Sequence, residues 1–173
     1  MKATEATKDL TQFAGTWALD RERSSVTFRT KAMWVVPVKG TFKALEGNAK
    51  ATADGAVTGR LVMDAASVHT RITKRDNHLR SGDFLEVVKY PTIVFEVSGG
   101  LPIGADLMEL SGVLTIHGQT QPLTLQVAVT GTGGSATVST DVEIDRSLWG
   151  LTWTNMGTRL KNRVAIRAHF DRV

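Results

Sequence analysis

Period two dominates the chain. From Gly15 onward, apolar and polar positions alternate: Val26, Phe28 and Thr30 against Ser25, Thr27 and Arg29, and Ile93, Phe95 and Val97 against Thr92, Val94, Glu96 and Ser98. Leu61 and Met63 follow the same rule, with Val62 the exception, as do the runs Leu123 to Val129, Ala136 to Ile144 and Val164 to Phe170. Such alternation places one side of a strand in an apolar interior and the other in water. Asp54-Gly55 is a strong hairpin marker between two runs of similar length. Gly118-Gln119-Thr120-Gln121-Pro122 and Gly131-Thr132-Gly133-Gly134 mark two more reversals. Many strands with short turns predict an all-β antiparallel sandwich or barrel, and a barrel is favoured because closure removes exposed edges.

Only the interval from Ser67 to Pro91 breaks the alternation. Ile72 and Leu79 are a heptad apart, with Arg75, Asp76 and Arg80 around the same short helix. Ser81 is placed to cap a second turn, with Asp83 near its N-terminus and Phe84, Leu85 and Val87 on its apolar side. Tyr90-Pro91 ends it, since the residue before a proline is pushed toward extended backbone. The pattern predicts a short helical insert near residues 70–89. The polar start predicts a flexible leader over 1–14, followed by a barrel domain over 15–173.

Composition narrows the classes. The chain has 173 residues, 42% apolar and 22% charged, which suits one globular domain with a core. Its formal net charge of +4 is scattered, with no block of Lys and Arg, so no nucleic-acid partner is expected. Absence of cysteine excludes disulfides, thiolate nucleophiles and thiolate-held metals. Neither a secretory h-region nor a long apolar run is present, so the expectation is a cytoplasmic chain without stable membrane insertion, or an exported one if a leader has been removed.

Candidate chemistry concentrates in TKRDNHLRSGDFLEV, residues 73–87. Asp76 with His78 has the right types to move protons near neutral pH. Two residues apart on a helix, however, point away from each other, and no nucleophile elbow, oxyanion loop or metal trio accompanies them. The structural alternative makes Arg75, Asp76, His78, Leu79 and Asp83 a plug for one barrel end, with Arg75 pairing with a carboxylate and Phe84 packing beside Leu79. The four histidines lack ligand spacing, and His117 has a parity that points to solvent or a turn. A His69–His78 pair with Asp76 or Asp64 has nothing further to support it, so no metal site and no catalytic residue are assigned. Gly131 to Gly134 lies between strands, where a hairpin is expected rather than a phosphate cradle.

At this level the ordered motifs become informative. Trp17-Ala-Leu-Asp20, Ser25-Val-Thr-Phe28, Val38-Lys-Gly-Thr-Phe42, Ser67-Val-His-Thr70, the Arg75 to Phe84 stretch, Tyr90-Pro91-Thr-Ile93-Val-Phe95, Gly112 to Gly118, and Arg146 with Trp149-Gly150 run in sequence along the chain. Together they resemble the YceI-like family. The resemblance implies an extended lipocalin-like barrel of about eight strands with a helical insert, and dimers in many members, so a homodimer is an expectation. It further implies a tubular apolar cavity holding a long isoprenoid lipid, such as a polyprenyl chain or isoprenoid quinone, with no catalysis and no other cofactor. The chain has Lys31-Ala32-Met33 where many members carry a histidine, so no role of that histidine transfers.

Inward parity then nominates the cavity lining: Val26, Phe28, Phe42, Leu61, Met63, Ile93, Phe95, Leu114, Ile116, Leu125, Val127 and Val129, with Phe84 and Trp149. Trp34 and Trp153 are expected at the mouth, because tryptophan combines an apolar body with one donor. Parity cannot distinguish a hollow barrel from a filled one. Two rivals therefore stand beside the isoprenoid binder: an enzyme acting on a lipid-like substrate through the Asp76/His78 region, and a stress-related interaction module with a filled barrel.

Overall fold

The structure, a computed structural model, describes residues 10–173. Its strands are β1 (Gly15–Ala32), β2 (Val36–Ala51), β3 (Val57–His69), β4 (Thr92–Pro102), β5 (Leu107–Ile116), β6 (Gln119–Thr132), β7 (Ser135–Asp145) and β8 (Lys161–Arg172). Each pairs antiparallel with its sequence neighbours, and β1 also pairs with β8, which closes the barrel. An eight-residue helix, α1 (Thr73–Arg80), forms the core of the insert between β3 and β4.

Long strands bend around a small barrel by means of bulges, and two of these decide which side chains face inward. In β1 the register with β2 shifts between Ala18 and Val26, so Trp17 and Val26 both point inward although their parity differs. In β2 the register with β3 shifts between Ala44 and Glu46, which turns Ala49 and Ala51 to the interior alongside Phe42. The β6–β7 seam is the weakest. Its ladder runs only from Ala128↔Ser139 to Thr132↔Ser135, and beyond it the strands part. The connection from residue 146 to 160 covers that parting, with Gln121 donating to the Leu148 carbonyl at 3.0 Å.

The expected leader differs from what the described part shows. Leu10–Phe13 form a 3-10 turn, and Phe13 is buried, so this part of the segment is packed on the barrel. The rest of the expected leader, residues 1–9, lies outside the described residues. No helix among the described residues is long and apolar enough to cross a membrane.

Candidate functional site

The barrel interior divides into a filled half and a hollow half. The filled half lies at the end that carries the 33–35 loop, the insert and the 146–160 connection. Phe28 and Phe42 pack there with ring centroids 5.4 Å apart. Gly40 leaves room for them, since a Cβ would collide with the Phe28 ring. Trp149 is buried and donates its indole N–H to the Leu114 carbonyl at 2.8 Å. Val26, Met63 and Ile93 are buried in the same core, and Ile116 packs against it.

The other half holds a cavity of about 160 Å³ that is partly open to solvent. Leu61, Phe95, Leu125, Val127 and Val129 border it, and its wall is almost wholly apolar. Trp17, Met108 and Leu110 also contribute, as do Val138, Ile166 and Phe170. Ala49, Ala51, Gly59, Ala136 and Ala168 are the small residues on its wall.

One end of the void is closed by the N-terminal turn. Phe13 borders the space and packs on Trp17, whose indole N–H donates to the Phe13 carbonyl at 2.9 Å. Arg172 holds this strap in place. Its guanidinium lies over the Trp17 ring at 4.4 Å and donates to the carbonyls of Ala14 at 2.5 Å, Gln12 at 2.8 Å and Gly133 at 2.6 Å. A single side chain thus joins the strap to the β6–β7 hairpin.

The polar insert is at the opposite end. Asp76 is buried and accepts from the Thr70 amide at 2.8 Å and the Thr70 hydroxyl at 2.5 Å. Burial opposes its ionisation, but those two donors, with the charges of His69 and Arg80, outweigh it and hold the carboxyl below the usual carboxylate value. His69 Nδ1 lies 3.4 Å from Asp76, whereas His78 Nε2 lies 2.9 Å from Asp83. An Asp76–His78 dyad is therefore not formed. The His78 ring is wedged edge-on against Trp153 at 4.6 Å and Phe84 at 5.2 Å. Arg146 completes this stopper. It lies over Phe84 at 5.3 Å and donates to the carbonyls of Leu151 and Trp153, each at 2.6 Å. Burial lowers the Arg146 pKa, partly offset by the charge of Asp145.

Several expectations are corrected by these positions. Val26, Phe28, Phe42, Met63, Ile93, Leu114, Ile116 and Trp149 fill or flank the core without bordering the void. Phe84 belongs to the stopper with Trp153. Trp34 and Trp153 are both at the stoppered end, so neither is at the void's strap-closed end. Among the described residues Arg75 pairs with no carboxylate; it donates to the Thr70 hydroxyl at 2.8 Å and the Thr70 carbonyl at 2.9 Å because α1 folds back over the end of β3. His117 is half-buried, 4.8 Å from the Tyr90 ring and 3.3 Å from Glu86. Leu79 packs against the core. Among the described residues, no group of three or more His, Asp or Glu is arranged to hold a metal ion.

Comparison with known proteins gives a consistent picture. A family model described as a YceI-like domain matches residues 17–171. Protein YceI of Escherichia coli is 32% identical over 124 residues, 69% of this chain and 64% of its own length. A UPF0312 protein of Vibrio parahaemolyticus is 31% identical over 114 residues, 64% of this chain and 59% of its own length. The matched part thus spans about three-fifths of these relatives. Among solved structures, BcnA of Burkholderia cenocepacia superposes with a TM-score of 0.77 at 22% identity, covering 87% of this chain and 98% of its own. A polyisoprenoid binding domain from Saccharophagus degradans gives a TM-score of 0.73 at 20% identity, covering 91% and 98%. Likeness at that identity speaks to the barrel alone. The family model, which runs from the first inward tryptophan to the last strand, decides the assignment: the chain belongs to the YceI-like family.

Proposed function

We propose that the protein is a non-catalytic binder of a long-chain isoprenoid, a polyprenyl lipid or isoprenoid quinone, held by its tail in the hollow half of the barrel. The observation that carries this reading is the apolar void of about 160 Å³ behind the Phe13 strap. A cavity of about 150 Å³ holds a benzene-sized molecule, so the space as it stands takes about one five-carbon prenyl unit. A longer tail needs the strap to swing aside, with Phe13 leaving the barrel. Binding then draws on hydrophobic transfer of about 0.8 kcal/mol per buried methylene and needs no polar clamp. The name of the Saccharophagus neighbour and the family membership support the same ligand class.

Solvent extraction of the purified protein followed by mass spectrometry is expected to recover a prenyl lipid or quinone. Added polyprenol at a hundredfold excess over Kd is expected to raise Tm by about 5–10 °C. Ala168→Phe fills the void from β8 and should remove that shift while leaving the barrel folded. Clean extracts together with no Tm response, or a response unchanged in Ala168→Phe, would sink the reading.

A further inference from the structure

We propose that the tip formed by Met33, Trp34, Val35 and Met156 is a docking surface for an anionic lipid bilayer. This tip is at the stoppered end, away from the void, so the proposal stands independently of what the barrel holds. Trp34 is 76% exposed, Val35 71%, Met156 71% and Met33 54%. A hairpin tip facing only water would carry Gly, Asn or Asp. This one carries large apolar side chains in a backbone that disfavours them. Met33 has φ 45°, Trp34 φ 68° and Met156 φ 59°, all in the left-handed region where a Cβ crowds the chain. Strain retained at exposed bulky residues is accounted for by what those side chains do rather than by folding.

The two loops of the tip are also tied to each other. Met33 donates its amide to the Met156 carbonyl at 2.7 Å, and Trp34 donates to the Gly157 carbonyl at 3.4 Å, which ties the 33–35 loop to the 155–157 turn. A Cβ on Gly157 would meet the Trp34 amide at 2.7 Å and the indole ring at 2.8 Å, so that glycine permits the close approach. The two loops therefore present their apolar side chains as one preformed platform, with little ordering cost on docking.

Charge selects the partner. Lys31 and Lys39 are exposed beside the tip on β1 and β2, and Arg159 donates to the Trp34 carbonyl at 3.3 Å. None of the three lies within ion-pair distance of a carboxylate among the described residues. The acidic groups at this end are engaged elsewhere: Glu143 with Lys161, Asp145 with Ser147, Asp83 with His78 and Glu86 with His117. A second copy seated on the same tip would bring these unpaired cations against their own duplicates, which is unfavourable. A surface of anionic headgroups complements them, and tryptophan partitions well to the headgroup level.

Vesicle co-sedimentation tests this directly, comparing phosphatidylcholine vesicles with and without phosphatidylglycerol. The protein is expected to bind the anionic vesicles, and to release as salt rises. Trp34→Asn is the informative variant, because asparagine tolerates the left-handed backbone: it should keep or raise Tm while weakening binding by about tenfold or more. Met156→Asn repeats the test at an independent position. Lys39→Glu should weaken binding by about fivefold or more, in proportion to the charge removed. The proposal is overturned if anionic vesicles are not bound, if Trp34→Asn and Met156→Asn stay folded and bind as well as the parent, or if light scattering shows a dimer split by Trp34→Asn while vesicles are ignored.

Discussion

Asp76 shows how one side chain holds the insert to the barrel. Its carboxylate satisfies both donors of Thr70 at the end of β3, and Thr70 in turn accepts from Arg75 through its hydroxyl and carbonyl oxygens. Replacing it with asparagine keeps the shape but leaves a neutral, weaker acceptor among buried donors. The folded-state pKa is depressed below the ordinary 3.8, so the ionised form contributes stability above that value and loses it as pH falls through the lower folded pKa. Asp76→Asn is therefore expected to lower Tm at pH 7, and the gap to the parent should close below pH 3.8 as the parent loses its charge. A gap constant across that range, followed by thermal melts, would mean that Asp76 acts by packing alone. The polar character of this segment was plain in the sequence, and so was the obstacle to an Asp76–His78 dyad. Its true pairings were not, because Asp76–Thr70 and His78–Asp83 depend on how α1 folds back on β3 and how residues 81–86 turn.

Strands and most turns were legible, since an inward face needs apolar residues at every second position and the reversals at Gly55, Gly118 and Gly131–Gly134 carry glycine. The inward faces of β1 and β2 were legible only as far as their bulges. Ala49 and Ala51 are too small to mark a face, and the shift between Ala44 and Glu46 reverses the parity that Phe42 establishes. The strap was missed for a different reason. Phe13 is one apolar residue in a polar segment, and nothing local distinguishes it from a loop residue; only its position four residues before Trp17 hints at packing. Arg172→Ala tests the element. It removes three carbonyl contacts and the cation over Trp17, and should lower Tm by about 2–5 °C. It should also speed the release of a bound apolar fluorophore. Unchanged release with a lowered Tm would mean that the strap is no gate and that guests leave by another route, the β6–β7 parting being the obvious one.

As a whole, the molecule is stoppered at one end and hollow at the other, and this asymmetry could not be read from parity. The same apolar alternation runs through both halves; Phe28, Phe42 and Trp149 pack together in the filled half, whereas alanines such as Ala136 and Ala168 interrupt the larger side chains beside the void. Arg172 then has a consequence for assembly. It is on the strand that closes the barrel, opposite Trp17 in the β1–β8 ladder, and it also pins the strap over the void. The pairing most distant along the chain, between β1 and β8, is also the one that carries Arg172 to the strap, and long-range pairings bear the largest loop-closure cost in folding. Barrel closure and strap closure are therefore expected to occur together. A guest present while the chain folds is enclosed; one offered afterwards must wait for the strap. Refolding from denaturant with polyprenol present is expected to load the protein more completely than long incubation of the folded form, as read by mass spectrometry of the extracted lipid. Equal loading by both routes would show that the strap opens freely at equilibrium.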